Sequence, residues 1–284
     1  MREPMMTSQD LYRIRDFVPD FDAIAAEFAE RSRKLSETAD VLADIRYGAR
    51  EREVLDVILP SRFNAGAPLH VFVHGGYWRS GEKENYRLVA APVLAAGGVA
   101  AIVEYDLMPG QRLHVLVDQV RRAVLWLQKH ASDFGADPRR LTVSGHSAGA
   151  HLASFLAAKG PQEPVEPPLP EIGGLLLVSG IYDLSEIPGS FLRNEAEMTL
   201  AEAAAWSPLT SSQLYCPQRI IAFGAAETPP FHHQAATLNV HLNARDRASE
   251  LLSVPGLNHM SVVLDLADPA GHLGGRIATM ISSM

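Results

Sequence analysis

The sequence is short of the features that mark several large classes of protein. It has one cysteine, Cys216, in 284 residues, so an intramolecular disulfide framework is excluded. It has no run of about 18 consecutive apolar residues, the length that a membrane-spanning helix needs. The opening stretch MREPMMTSQDLYRIRDF holds no apolar run of signal-peptide length. Positive charge is not in excess. Lys and Arg number 25 against 33 Asp and Glu, and the formal net charge of −8 argues against nucleic acid or an anionic membrane as the main partner. A soluble protein of a reducing, cytoplasmic compartment is the expectation. The chain has no internal repeat, and neither H-E-x-x-H nor a cysteine pair, so no metal or organic cofactor is expected.

What the sequence does have is apolar material in alternating patterns. Hydrophobic residues make up 47% of the chain. A globule of this mass buries nearly three-quarters of its extended surface, roughly speaking, so a core without staples is available. Residues 20–38 carry Phe21, Ile24, Ala25, Phe28 and Leu35 at helical spacing behind Asp20, a candidate N-cap. Residues 54–59, 69–73, 98–105, 141–144, 174–180, 219–224 and 250–254 read as apolar strands. Residues 112–134 form a long amphipathic pattern closed by Gly135 and the Asp137-Pro138 turn. Residues 148–159 read as a small-residue helix, and the proline-rich stretch 160–170 as a surface loop. Strand–helix alternation implies a mostly parallel sheet with helices on both faces. Residues 184–214 interrupt it with helical character and read as a small cap, not a separate domain. The expected organisation is one α/β domain over 1–284, with a helical extension at 1–40.

Gly145-His146-Ser147-Ala148-Gly149 matches G-x-S-x-G directly after one of these strands and at the start of a helix. That is the context of a nucleophile elbow, where a sharp strand-to-helix turn exposes the serine and its neighbours must be small. Read blandly, the same residues are a glycine-rich packing turn with a capping serine, but the strand–helix context favours the elbow. His74-Gly75-Gly76-Tyr77-Trp78 follows an earlier strand and suits a loop whose backbone N–H groups reach an oxyanion. His74 precedes the glycines, so it reads as orienting that loop.

A serine needs a base, and in this arrangement the order along the chain is serine, acid, histidine. His151 sits one turn along the elbow helix and cannot reach back to Ser147. His259 follows the last strong strand through a short turn and is the favoured base, with His272 next. His232 and His233 are adjacent and fall on different faces of a helix, so they read as solvated or capping residues. The acid lies between Ser147 and His259. Glu227, three residues after the strand 219–224, is preferred; Asp183 is the alternative, with a turn-capping role as its plain reading. Asp246 reads as part of a solvated face.

Together these residues resemble the α/β-hydrolase family, and within it the kynurenine formamidases (arylformamidases) and related hormone-sensitive-lipase-like esterases, from about Ile45 to Val263. His74 to Trp78 looks like that group's H-G-G-x-W motif, and Gly145 to Ala153 like its G-H-S-A-G-A-H-L elbow. Residues 179–184 and 227–234 also look familial, with Glu227 where the group has Asp. The resemblance implies nucleophile Ser147, acid Glu227, base His259, and oxyanion donors on the N–H groups of Gly76, Tyr77 and Ala148. It implies a serine hydrolase of a small N-formyl amide, with a carboxylesterase of small acyl or aryl esters, or a related amidohydrolase, as the alternative. Trp78, His146, Trp206 and Phe231 are candidate substrate contacts; cap or core packing is the competing reading for the aromatic ones. The expected partner is a small ester or amide. A homodimer is open, because the helix at 20–38 has either the site or a partner chain to pack against.

Overall fold

A computed structural model describes residues 10–62, 65–161, 163 and 168–284. Residues 1–9 of the expected N-terminal extension and residues 162 and 164–167 of the expected proline-rich loop lie outside these. The elements in order are α1 (Phe21–Thr38), β1 (Asp40–Arg46), β2 (Val54–Leu59), β3 (Ala67–Val73), α2 (Ala90–Ala95), β4 (Val99–Val103), α3 (Leu113–His130), β5 (Ala136–His146), α4 (Ala148–Ser154), β6 (Gly174–Val178), α5 (Leu200–Ala205), β7 (Arg219–Gly224), α6 (Pro229–Asn243), β8 (Glu250–Val254), α7 (Ser261–Leu266) and α8 (His272–Ser282).

The strands form one eight-stranded sheet in the order β1-β2-β4-β3-β5-β6-β7-β8. β1, β2 and β4 pair antiparallel, and every pair from β4 to β8 is parallel. β3, β4, β6 and β7 are buried along their whole length. That is why they read as continuous apolar runs instead of alternating ones: helices cover both faces of a parallel sheet. The carboxyl ends of β3, β5, β6, β7 and β8 open toward the same side, where open parallel sheets hold their ligands.

The structure differs locally from the sequence reading at several places. β1 leaves no apolar run in the sequence because it is an edge strand with mostly exposed residues and a register shift between Leu42 and Ile45. β5 begins five residues early, but Asp137 to Arg140 stay out of the ladder: the pairing with β3 jumps from Ala136 to Leu141. α4 stops at Ser154 instead of continuing to Lys159. The carbonyls of the residues just beyond it are taken by Arg121, which donates to Phe155 O (2.9 Å) and Ala158 O (2.7 Å), and by Arg219, which donates to Ala157 O (3.3 Å). These donors come from other elements, so no local signal announces the stop. The stretch 184–214 holds only two single 3₁₀ turns and α5. Asp20 does precede α1, but its side chain makes no capping hydrogen bond.

Burial holds His70 and His151 in the neutral form. His70 lies between the hydroxyls of Thr142 (2.8 Å) and Ser144 (2.7 Å), and burial pushes its pKa down to about 3. His151 on α4 is pushed down to about 4, again by burial. In the unfolded chain both return to about 6.5. The unfolded state therefore binds more protons below pH 6.5, and stability falls as pH drops through that value. At pH 4.5 each histidine is expected to cost ~2–3 kcal/mol relative to pH 7.5. Urea unfolding at the two pH values measures this; an unchanged unfolding free energy would contradict it.

Candidate active site

The turn between β5 and α4 places Ser147 at φ +54° and ψ −120°, a backbone conformation that L residues rarely adopt. Two glycines make the turn possible. A Cβ on Gly145 would come within 2.5 Å of Gly149 O, and a Cβ on Gly149 within 2.1 Å of Val73 O. The elbow helix therefore packs backbone to backbone against the end of β3, which explains both glycines of G-x-S-x-G. Ser147 N donates to Val178 O (2.9 Å), anchoring the turn to β6.

Two loops meet the serine. His259, in the turn after β8, has its Nε2 3.0 Å from Ser147 Oγ. Its Nδ1 lies 2.7 Å from Glu227 Oε2, on the loop after β7. Glu227 Oε1 accepts from Ser179 Oγ and from the backbone N–H of Gly224, both at 2.6 Å. All three side chains are buried. The ring of Phe231 packs on His259 with centroids 4.4 Å apart, and His146 Nε2 donates to the His259 carbonyl (2.9 Å). The alternatives fall elsewhere. Asp183 accepts from Ser185 N (2.9 Å) and caps its own turn. His272 starts α8, largely exposed, beside Asp265. Ser179, which holds the Glu227 carboxylate, is marked in the sequence only by its place at the end of a strand and by the family likeness of residues 179–184.

The loop after β3 is strained in a way the sequence hides. Gly76, Tyr77 and Trp78 take φ values of +123°, +53° and +59° in succession. A Cβ on Gly76 would collide with Ser80 O at 2.0 Å, and the two non-glycine residues each cost ~1–2 kcal/mol. Several contacts hold the loop. Met108 N donates to Trp78 O (2.8 Å) and Ser80 N to Gly76 O (3.0 Å). Tyr77 Oη donates to Tyr12 O (2.7 Å) and accepts from Ile14 N (3.3 Å). His74 is locked beneath it, with Nε2 2.8 Å from Glu104 and Nδ1 2.8 Å from Gly75 O. Burial alone would raise the Glu104 carboxyl, but His74 and Arg52 outweigh it and hold it below its usual range. The backbone N–H groups of Gly76, Tyr77 and Ala148 donate no hydrogen bond among the described residues.

A cavity of about 750 Å³ opens above Ser147 and His259. His146, Gly76 and Tyr77 line it as well. Three of the residues read from sequence as substrate contacts do not. Trp78 is fully buried, with Nε1 donating to His151 Nδ1 (3.0 Å). Trp206 packs edge-on against Phe155, away from the cavity. Phe231 backs His259 and Tyr12. The missing walls come from the N-terminal segment, whose Arg13, Ile14, Phe21 and Phe28 line the cavity with Tyr86 and Phe191. That segment is pinned by Tyr77, by Phe191 N donating to Asp10 (2.5 Å) and by Thr228 Oγ1 donating to Leu11 O (2.8 Å). The N-terminal helix therefore folds over the site, with Phe21 and Phe28 in the cavity wall.

Comparison with known proteins agrees with this architecture. The model of the family described as BD-FAE matches residues 55–214. A kynurenine formamidase of Salmo salar is 34% identical over 255 residues, covering 87% of this chain and 83% of that protein. Its counterpart in Danio rerio is 33% identical and covers 84% and 80%. The crystal structure of a candidate thioesterase from Silicibacter sp. superposes with a TM-score of 0.72 at 26% identity, covering 97% of each chain. With this fold and these relatives, the chain is a hydrolase, and it belongs to the α/β-hydrolase family that includes the kynurenine formamidases.

Proposed function

We propose that Ser147, His259 and Glu227 form a catalytic triad and that the reaction is hydrolysis of a small N-formyl amide of an aromatic amine. The observation that carries this reading is the hydrogen-bond chain from Ser147 Oγ through both nitrogens of His259 to Glu227, at the floor of a cavity. His259 Nε2 accepts the Ser147 proton as Oγ attacks the carbonyl carbon. The developing oxyanion meets the free N–H groups of Gly76, Tyr77 and Ala148, of which each well-aimed donor contributes roughly 3–4 kcal/mol. His259 then protonates the leaving amine, and water, deprotonated by the same nitrogen, releases formate from the acyl-enzyme. These steps call for no metal or organic cofactor.

The leaving group is read from the walls. Tyr77, Tyr86, Phe21, Phe28 and Phe191 give an apolar, aromatic lining for a flat ring. Arg13 lies over the Phe191 ring at 5.4 Å, and neither Arg13 nor Asp16 has an ion-pair partner among the described residues. Arg15 and Arg79, by contrast, are paired with Asp22 and Glu195. The free pair of opposite charges suits a leaving group that carries both a carboxylate and an amine. The formyl preference rests on the named relatives.

A carboxylesterase is the second reading, favoured by the likeness to a candidate thioesterase. One panel separates the two: formyl, acetyl and butyryl groups on a common aryl amine and on a common phenol. The formamidase reading expects kcat/KM on the formyl anilide at least 10-fold above the acetyl anilide, a gap that one methyl can supply at about 1–3 kcal/mol. Hydrolysis of the phenyl esters alone would overturn it.

A further inference from the structure

We infer that His151 is a positioning residue that sets the spacing between the two halves of the oxyanion hole. The inference rests on the reading of Gly76, Tyr77 and Ala148 as oxyanion donors. Those donors sit on separate pieces of chain, the loop after β3 and the first turn of α4. Stabilisation of an oxyanion requires both sets to point at one place, so something must fix the distance between the pieces.

Backbone packing does part of this, because Gly149 lets α4 sit against the end of β3. It does not hold the loop beyond Gly75, where the chain runs through three consecutive positive φ angles. The other hydrogen bonds that restrain residues 76–80 tie them to the N-terminal segment, to Met108 or to one another. Among the described residues, one hydrogen bond joins this loop to α4: Trp78 Nε1 donates to His151 Nδ1 at 3.0 Å. His151 lies three residues beyond Ala148 on the same helix.

The imidazole is built for one tautomer. Nδ1 accepts from Trp78, so the proton resides on Nε2, which donates to the backbone carbonyl of Trp206 at 2.8 Å. The ring is wholly buried and keeps its neutral form because burial pushes it down to about pKa 4. Trp78 and Phe155 meet it edge-on, with centroids 5.2 and 5.5 Å away. His151 thereby clamps three segments: the strained loop, the elbow helix and the end of α5 at Trp206. It accounts for a tryptophan that does not line the cavity and an imidazole that bonds Trp78 and Trp206 instead of the Ser147 hydroxyl.

The test uses Trp78→Phe, His151→Leu, the double variant and His151→Gln, whose side-chain amide carries both an acceptor and a donor. The readouts are kcat and KM on an aryl ester or formyl anilide that the wild-type protein hydrolyses, and the affinity for phenylboronic acid, which forms a tetrahedral anion on the serine. Trp78→Phe and His151→Leu are expected to lower kcat about 10- to 100-fold with KM changed less than threefold. Boronate affinity should fall in parallel, the double variant should be no worse than the poorer single, and His151→Gln should recover most of the loss. Should His151→Leu fail to fold, Trp78→Phe leaves the imidazole in place and removes the indole donor. Full kcat in Trp78→Phe, losses confined to KM, or additive losses in the double variant would each overturn the inference. Ser147→Ala separates this from the underlying reading. If that variant keeps more than a tenth of the wild-type kcat, the active-site assignment itself fails; if it falls by orders of magnitude while Trp78→Phe is normal, only the role of His151 does.

Discussion

Replacing Ser147 with alanine is expected to lower kcat by about 10⁴- to 10⁶-fold while the protein stays folded. The substitution deletes one oxygen, the atom that His259 Nε2 faces at 3.0 Å. Ser80 also lines the cavity, but its hydroxyl donates to Gly76 O (3.0 Å). The lone thiol, Cys216, is buried before β7 and points to Gln218 O at 3.2 Å, and burial raises its pKa away from the reactive thiolate. Alanine occupies the same strained backbone position as serine, so the change in stability is expected to stay near ~1 kcal/mol or below. A residual rate about 10³-fold above water is expected, because the proposed oxyanion donors and the cavity survive. Two measurements bear on this: turnover of an aryl ester or formyl anilide, and labelling by a fluorophosphonate, which should vanish with the hydroxyl. A variant with more than a tenth of the wild-type kcat would move the nucleophile elsewhere.

The parts of the site legible in the sequence are those in which a local pattern and the chain order say the same thing. The elbow shows because the small residues follow a buried strand, and the glycines at 145 and 149 answer collisions of about 2–2.5 Å that any Cβ would bring. Glu227 and His259 show because each follows a strand that runs fully or partly apolar, and an open parallel sheet gathers those loops at one edge. What stays hidden depends on contacts between distant segments. Phe231 looks like a pocket residue, yet it supports the imidazole from behind. Trp78 looks like one too, but a left-handed backbone at three successive residues turns its ring inward to His151. The N-terminal wall is hidden more deeply. Tyr77 Oη reaches across 65 residues of sequence to Tyr12 O, and no periodicity encodes such a contact. The same holds for the early end of α4, which Arg121 and Arg219 decide from outside.

Glu227→Gln should be nearly as damaging as loss of the serine, and the hydrogen bonds around the carboxylate say why. Oε1 receives two donors, Ser179 Oγ and Gly224 N, each at 2.6 Å. A glutamine in this place puts its carbonyl oxygen there, since an NH₂ group would face two donors with nothing to accept. The NH₂ then points at His259 Nδ1, where Oε2 now lies at 2.7 Å. Nδ1 must accept, so the imidazole proton moves to Nε2, the nitrogen that has to take the proton of Ser147. The base is held in the wrong tautomer, and the cation formed in the transition state also loses its counter-charge. A loss of about 10⁴-fold in kcat follows, with KM and fold little changed. Glu227→Asp makes the contrast. It keeps the charge and the correct tautomer but is one methylene shorter, so it cannot hold His259 and both Oε1 donors at once, and its loss should be much smaller. Steady-state kinetics of the two variants at one pH, with thermal unfolding alongside, decides the matter. Glutamine and aspartate variants of equal activity would mean that the carboxylate is not what orients His259.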